Sequence, residues 1–329
     1  MDQSRRRLLA GAAAAAGAAW LPTTAWSQAQ IDTARLIVGF PPGGTTDVIG
    51  RRLGEHLRGA YARVTVVENR AGAGGRLAID HVKNAAPDGT TVLVSPCSMM
   101  TIYPHIYKKL TYNPFEDLTP VSSICSTVFG LAIGPAVPES VRDLRQFLAW
   151  CKENPKQSNY GSPAAGSTAH FLPAQLERIA GIEFRHVPFR GSQPAIHDLL
   201  GGQVSSVSAP IGEFLPHMKT GRIRMLAASG TQRSKYYPDV PTYIELGFRN
   251  LEAREPYAVF LPAKAPSELV QRLASAVRTA VAAPEFVEGI AQMGLDAGVM
   301  TPPELAQWLR ADHDRWGPIV KEIGFTADS

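Results

Sequence analysis

Short apolar runs that do not alternate with polar residues, each followed by a turn and an amphipathic stretch, constrain this chain most. Arg35–Phe40 (RLIVGF), Val64–Glu68 (VTVVE) and Thr90–Ser95 (TTVLVS) read as three such strands. Helical patterning fills Val48–Leu57 and Leu77–Ala85 between them. A strand that is apolar at successive positions needs cover on both faces, and strand–helix–strand order supplies it. The chain therefore predicts an α/β fold with a parallel sheet flanked by helices. Turn chemistry marks each junction: Pro41-Pro42-Gly43-Gly44, Ala71-Gly72-Ala73-Gly74-Gly75 and Pro87-Asp88-Gly89.

A second α/β unit begins near Val128–Ile133. Its helices are expected at Val141–Cys151, Thr168–Ala180 and Gln193–Leu200. Its strands are expected near Asn159–Tyr160 and at Phe184–Val187, Val204–Ser208 and Ile223–Ser229. Another strand follows at Arg254–Leu261, and three helical segments finish the chain at Pro266–Val281, Pro284–Gln292 and Pro302–Ile323. Each of the three begins at a proline, a residue suited to the first turn of a helix. No Pro/Ser/Gly-rich tether separates the two units. Two lobes joined by short crossing strands are the expectation.

The amino-terminal residues read as an export address. Arg5-Arg6-Arg7 precede a soft apolar run, Leu8–Trp20, and then the small-residue signatures Ala25-Trp26-Ser27 and Ser27-Gln28-Ala29. The order Ser4-Arg5-Arg6-Arg7-Leu8-Leu9 also resembles a twin-arginine signal. Removal of 1–29 is expected, with the mature chain in the periplasm. The whole chain has 33 basic and 29 acidic residues, and without Arg5–Arg7 and Asp2 the balance is 30 against 28. So mild an excess, with no run of like charges, argues against a nucleic-acid partner. Cys97, Cys125 and Cys151 show neither paired nor metal-like spacing and read as buried apolar residues.

Three loops stand between strand and helix. In Phe40–Asp47 the tandem glycines let the backbone turn its N–H groups outward, and Thr45, Thr46 or Asp47 is suited to cap the helix. Such a helix start attracts anions, because unpaired N–H groups and the helix dipole point the same way. Val66–Gly75 (VVENRAGAGG) repeats the device, but lacks the third glycine and the distant acid of a dinucleotide motif. The third loop, Tyr160–His170 (YGSPAAGSTAH), offers hydroxyls and flexible glycines. No cofactor is expected. There is no GxSxG elbow or HExxH helix, and the eight histidines are scattered, so neither catalytic residues nor a metal site are assigned. His170 reads as a residue that caps or packs locally.

Taken together, these strings resemble the Bug family, the extracytoplasmic solute receptors of tripartite tricarboxylate transporters. The resemblance runs through Pro41-Pro42-Gly43-Gly44 with Asp47, then Glu68–Gly75, Ala86-Pro87-Asp88-Gly89 and Tyr160-Gly161-Ser162. It continues in His186–Gly191, Leu199–Val204, Pro238–Thr242 and Glu245-Leu246-Gly247. It implies a two-lobed type II periplasmic-binding fold, with lobe 1 formed by 30–128 plus 254–329 and lobe 2 by 129–253. A monomer, a small carboxylate held in the interlobe cleft, and large and small membrane subunits as partners are further implications. A ligand sensor feeding a signalling system is the alternative, followed by an enzyme on the same scaffold. The implied ligand-facing residues are Phe40, Pro42, Gly43, Gly44, Thr45, Gly72, Ala73 and Gly74 on one lobe. Asp47 and Ser95 join them there, and Ser162, Ser167, Thr168, Phe189, Gly191 and Ala209 face them from the other. Where relatives place an acid after Gly-Gly-Gln-Val, this chain reads Ser205–Pro210. That departure argues for a mono-, di- or tricarboxylate without an amine, an aromatic one included.

Overall fold

The computed structural model describes residues 31–327, Lys219 excepted, so the segment 1–29, expected from sequence to be an export signal, lies outside the described residues. The chain enters as strand β1 (Ile31–Val38), helix α1 (Thr45–Leu57), strand β2 (Ala62–Asn69), helix α2 (Arg76–Lys83) and strand β3 (Thr91–Pro96). Two one-turn helices, α3 (Ser98–Thr101) and α4 (Tyr103–Ile106), lead to the long strand β4 (Leu118–Ile133). The next segment holds α5 (Leu144–Glu153), β5 (Asn159–Ser162), α6 (Thr168–Ala180), β6 (Arg185–Pro188) and α7 (Ser192–Leu200). Then come β7 (Ser206–Pro210), the 3-10 turn Ile211–Phe214, α8 (Leu215–Met218) and β8 (Arg224–Ala228). Strand β9 (Arg254–Pro262) crosses back, and α9 (Ser267–Ala282), α10 (Pro284–Ala291), β10 (Asp296–Ala297) and α11 (Pro302–Ile323) end the described chain.

The apolar strands lie where their composition demands. Leu36, Ile37 and Val38 of β1 and every residue of β3 are buried. Strands β2, β1 and β3 pair in parallel, and β9 closes onto β3 in the antiparallel sense. Apolar clusters cover both faces of this half-sheet. One joins Leu36 and Val38 to Ile49, Leu53, Leu273 and Val277, and the other joins Ile37 and Leu93 to Ile79, Tyr103, Leu309 and Trp316. The second half-sheet repeats the plan, with β5 parallel to both β6 and β7 and β4 lying antiparallel between β7 and β8. The two-lobed α/β architecture follows from these two covered half-sheets.

Strand β4 is longer than its sequence suggests. It spans 16 residues, against the six expected at Val128–Ile133. Its first part pairs with β9 from Leu118↔Pro262 to Val128↔Arg254, and from Phe129 onward it pairs with β7 and β8. Pro120, Ser122, Ser123 and Ser126 hide the first part from any search for apolar runs, and the register shifts beside Pro120 and Ser123. The serines have structural partners. Ser123 donates to the Gly298 carbonyl (2.9 Å) and accepts the Met300 N–H (2.7 Å), which ties the carboxy-terminal segment to this strand. The one-turn helices α3, α4 and α8 and the two-residue strand β10 were not expected from sequence, and some ends differ: α1 starts at Thr45 instead of Val48, and β1 stops at Val38 instead of Phe40.

Close backbone approach fixes the turn after β7. A Cβ on Gly212 would stand 1.5 Å from the Met293 carbonyl oxygen and 3.0 Å from the Gly294 nitrogen. Both obstacles are main chain, which cannot rotate aside. Gly212→Ala should therefore lower stability by about 1–3 kcal/mol, the usual cost of overpacking. Urea unfolding measures it, and an unchanged midpoint would show that the two segments separate freely.

Candidate functional site

The loop between β1 and α1 is held by one carboxylate. Gly43 takes the left-handed conformation (φ 83°), and Gly44 is the helix cap with no side-chain bond of its own. Asp47 turns back to accept the Gly43 N–H (2.9 Å), the Arg51 guanidinium (2.9 Å) and the Asn69 amide (2.8 Å). Burial opposes its charge, but the bonds from Arg51, Gly43 and Asn69 outweigh burial and hold the carboxyl below its ordinary value. The Asn69 amide also donates to the Phe40 carbonyl (3.0 Å), so the end of β2 is stitched to the loop following β1. Gly39 is required here, because a Cβ on it would lie 2.9 Å from Gly75 Cα.

The third loop rests on a stacked histidine pair. His170 accepts the Gly166 N–H at Nδ1 (3.0 Å), and its ring lies 3.8 Å from that of His186. His186 Nε2 meets Ser162 Oγ at 2.7 Å. Burial pushes both imidazoles down, His186 to about 4, so the pair is neutral near pH 7. Ser167 caps α6 by accepting the His170 N–H (3.3 Å).

These loops surround a cavity of about 280 Å³ between the half-sheets. Its wall is largely apolar, with Phe40, Met99, Tyr103, Phe129, Tyr257 and several prolines. Three helices direct their first turns at it: α1 through Thr45 and Thr46, α6 through its cap Ser167, and α7 through Ser192 and Gln193. First-turn N–H groups have no partner inside a helix, and the dipole adds partial positive charge, so three anion-friendly ends converge. Two acids share the wall. Glu213 accepts the Thr45 hydroxyl from across the cavity and the Gln193 amide (2.9 Å). Glu255, only 5% exposed, accepts the Ser98 N–H (2.7 Å). Burial pushes the Glu255 carboxyl up to about 7, against bonds from Ser98 and Thr168 that pull it down. Arg190, exposed at the rim, is the basic residue on this wall.

A second chamber of about 720 Å³ adjoins the first and shares Phe40, Pro41, Pro163, Ala164, Arg190 and Gly191 with it. The loop after β2 opens here, not into the inner cavity: Gly72, Ala73 and Gly74 line it, with Phe189 opposite. Of the residues singled out from sequence, Phe40, Pro42, Gly44, Thr45, Ser167 and Gly191 line the inner cavity.

Six others line neither chamber, and each has a reason. Gly43 spends its N–H on Asp47, and Asp47 is neither the cap nor free. Ser95 donates to the Pro96 carbonyl (3.0 Å), and Ser162 is held by His186. The Thr168 hydroxyl bonds to Glu255. Ala209 is fully buried in β7, inside an apolar cluster with Ala132, Ile196 and Phe214. Sequence reasoning missed Ser98, Arg190, Ser192, Gln193, Glu213 and Glu255. It also treated the missing acid in Ser205–Pro210 as a reason to disfavour amines, whereas Glu213 and Glu255 supply two acids from elsewhere. An acid at the head of the apolar stretch REPYAVFL was the available signal for Glu255.

The chain matches known proteins along most of its length. Residues 49–325 match the family model of the tripartite tricarboxylate transporter family receptor. Protein BugT of Bordetella pertussis is 32% identical over 291 residues, 88% of this chain and 89% of that protein. A solved R. palustris protein with adipate aligns with a TM-score of 0.85 at 26% identity, covering 91% of this chain and 99% of that one. MatC from Rhodopseudomonas palustris with bound malate aligns with a TM-score of 0.81 at 26% identity, covering 88% and 99%.

The buried acid makes stability depend on pH. The Glu255 carboxyl titrates near 7 when folded against 4.5 as a model group, so the folded chain holds its proton more tightly and loses stability as pH rises between those values. Full ionisation costs about 3 kcal/mol at 1.36 kcal/mol per pK unit. Glu255→Gln should therefore gain stability relative to the parent at pH 8, with the gain shrinking toward pH 4.5. Denaturant melts across that range check this, and a pH-independent difference would contradict it.

Proposed function

Because the chain belongs to the tripartite tricarboxylate transporter receptor family, we propose that it is a periplasmic receptor that captures a small carboxylate between its lobes. It delivers that ligand to the large and small membrane subunits of a transporter. The observation that carries this reading is the convergence of the α1, α6 and α7 first turns on one cavity. A carboxylate has two oxygens and accepts donors from opposite sides at once. Its binding therefore favours the closed arrangement of lobes, each charge-assisted bond contributing about 1.5–3 kcal/mol. Adipate and malate in the two solved relatives agree in chemical class.

In this reading the lobes are 30–128 plus 254–329 and 129–253, with β4 and β9 as the crossing strands. The 1–29 segment is an export signal that is removed, and the mature receptor acts as a monomer. The inner cavity is the ligand seat, and the outer chamber with Gly72–Gly74 is its approach. No residue acts as a catalyst here. The site binds by donors and shape, and release follows when the lobes part.

A thermal-shift panel tests the reading. Mono-, di- and tricarboxylates are compared with their neutral amides, each at increasing concentration. At 100 times its dissociation constant a ligand adds about 2.7 kcal/mol to stability. The expected result is a saturable shift with at least one carboxylate and none with its amide. Equal shifts with acid and amide, or none throughout, would refute carboxylate capture.

A further inference from the structure

We propose that the ligand is an amphoteric carboxylate: its carboxylate sits at the first turns of α1, α6 and α7, and a positively charged amine faces Glu213 and Glu255. This deepens the receptor reading and rests on it.

The cavity wall carries two acids and one base. Arg190 is exposed at the rim, where water screens it, while Glu255 is buried at the inner end of β9. A second ligand carboxylate would share a cleft of about 280 Å³ with both glutamates. Like charges there repel, most strongly at Glu255, whose burial leaves little water to screen it. An ammonium group reverses the sign of those interactions and brings donors where the wall offers acceptors.

Neither glutamate is exhausted by its protein partners. Glu213 receives the Thr45 hydroxyl and the Gln193 amide, and Glu255 receives the Ser98 N–H and the Thr168 hydroxyl. A carboxylate has about four acceptor positions on its two oxygens, so each retains capacity toward the cavity. Both acids also stand beside the helix starts that attract the ligand carboxylate: Thr45 opens α1, and Thr168 opens α6. The wall is thus laid out for opposite charges close together on one ligand. Phe40, Tyr103, Phe129 and Tyr257 leave its remaining body in apolar surroundings.

Titration of Glu255 adds a pH signature. The charged group facing it from the remaining packed elements is Asp312 on α11, itself bonded to Arg315 (2.7 Å), with Glu213 on the same cavity wall. A bound ammonium favours the ionised carboxylate, whereas a second ligand carboxylate favours the protonated one. Affinity for an amine-bearing ligand therefore falls as pH drops through about 7, and affinity for a dicarboxylate rises.

The test is calorimetric titration of the full mature chain with four six-carbon probes: hexanoate, adipate, 2-aminohexanoate and 6-aminohexanoate. The expected result is that one amino acid binds at least tenfold more tightly than hexanoate and adipate, and weakens from pH 8 to pH 5. Glu213→Gln should remove that preference while hexanoate still binds, which shows that the variant is folded. Tighter binding of adipate, or an amino-acid preference that survives Glu213→Gln, would overturn this inference and leave carboxylate capture standing. Binding by none of the four, with the wider carboxylate panel also silent, would instead overturn the receptor reading on which it rests.

Discussion

The antiparallel pairing of β4 with β9 is the contact on which the rest of the molecule depends. It runs from Leu118↔Pro262 to Val128↔Arg254, and it is the seam through which both half-sheets are continuous. Just past it, Phe129 pairs with Pro210, and the turn carrying Glu213 follows directly. Glu255, opposite Thr127, lies one residue inside that same end of the seam. The floor of the cavity is therefore made by the two strands of the seam, while the walls are helix starts packed on either half-sheet. Separate apolar clusters pack the two half-sheets on either side of the seam.

Within the cavity, the protein separates the donors it uses for its own structure from those it presents. Asp47, the His170–His186 stack and Asn69 satisfy the loop atoms behind the wall. What remains at the surface is three helix starts, two acids and an apolar lining. The neutrality of the histidine pair matters to this arrangement, because a charged imidazole behind Ser162 and Gly166 would compete with the helix starts for an anion. Burial keeps both rings uncharged at physiological pH.

Much of this was legible in the chain itself, for identifiable reasons. Apolar strands such as RLIVGF announce a sheet covered on both faces, and α6 and α11 have the expected ends because Ser167 and Thr301 cap them and Gly181 and Gly324 close them. The first part of β4 was not legible, since Pro120 and three serines replace its apolar signal, and Ser122 and Ser123 take partners from residues near 300. At the site, glycine loops were recognisable, but their internal accounting was not. Gly43 and Asp47 look like ligand contacts in sequence and satisfy each other in space. Glu213 meets Thr45 across 168 positions, a distance at which no local pattern operates.

In the proposed reading a carboxylate is gripped by helix first turns in the inner cavity, above the β4–β9 seam. A crystal structure of the mature chain with the tightest-binding carboxylate tests it most directly. The account predicts carboxylate oxygens within about 3 Å of first-turn N–H groups of α1 and of α6 or α7. Density for the ligand in the outer chamber against Gly72–Gly74, with the inner cavity filled only by water, would contradict it.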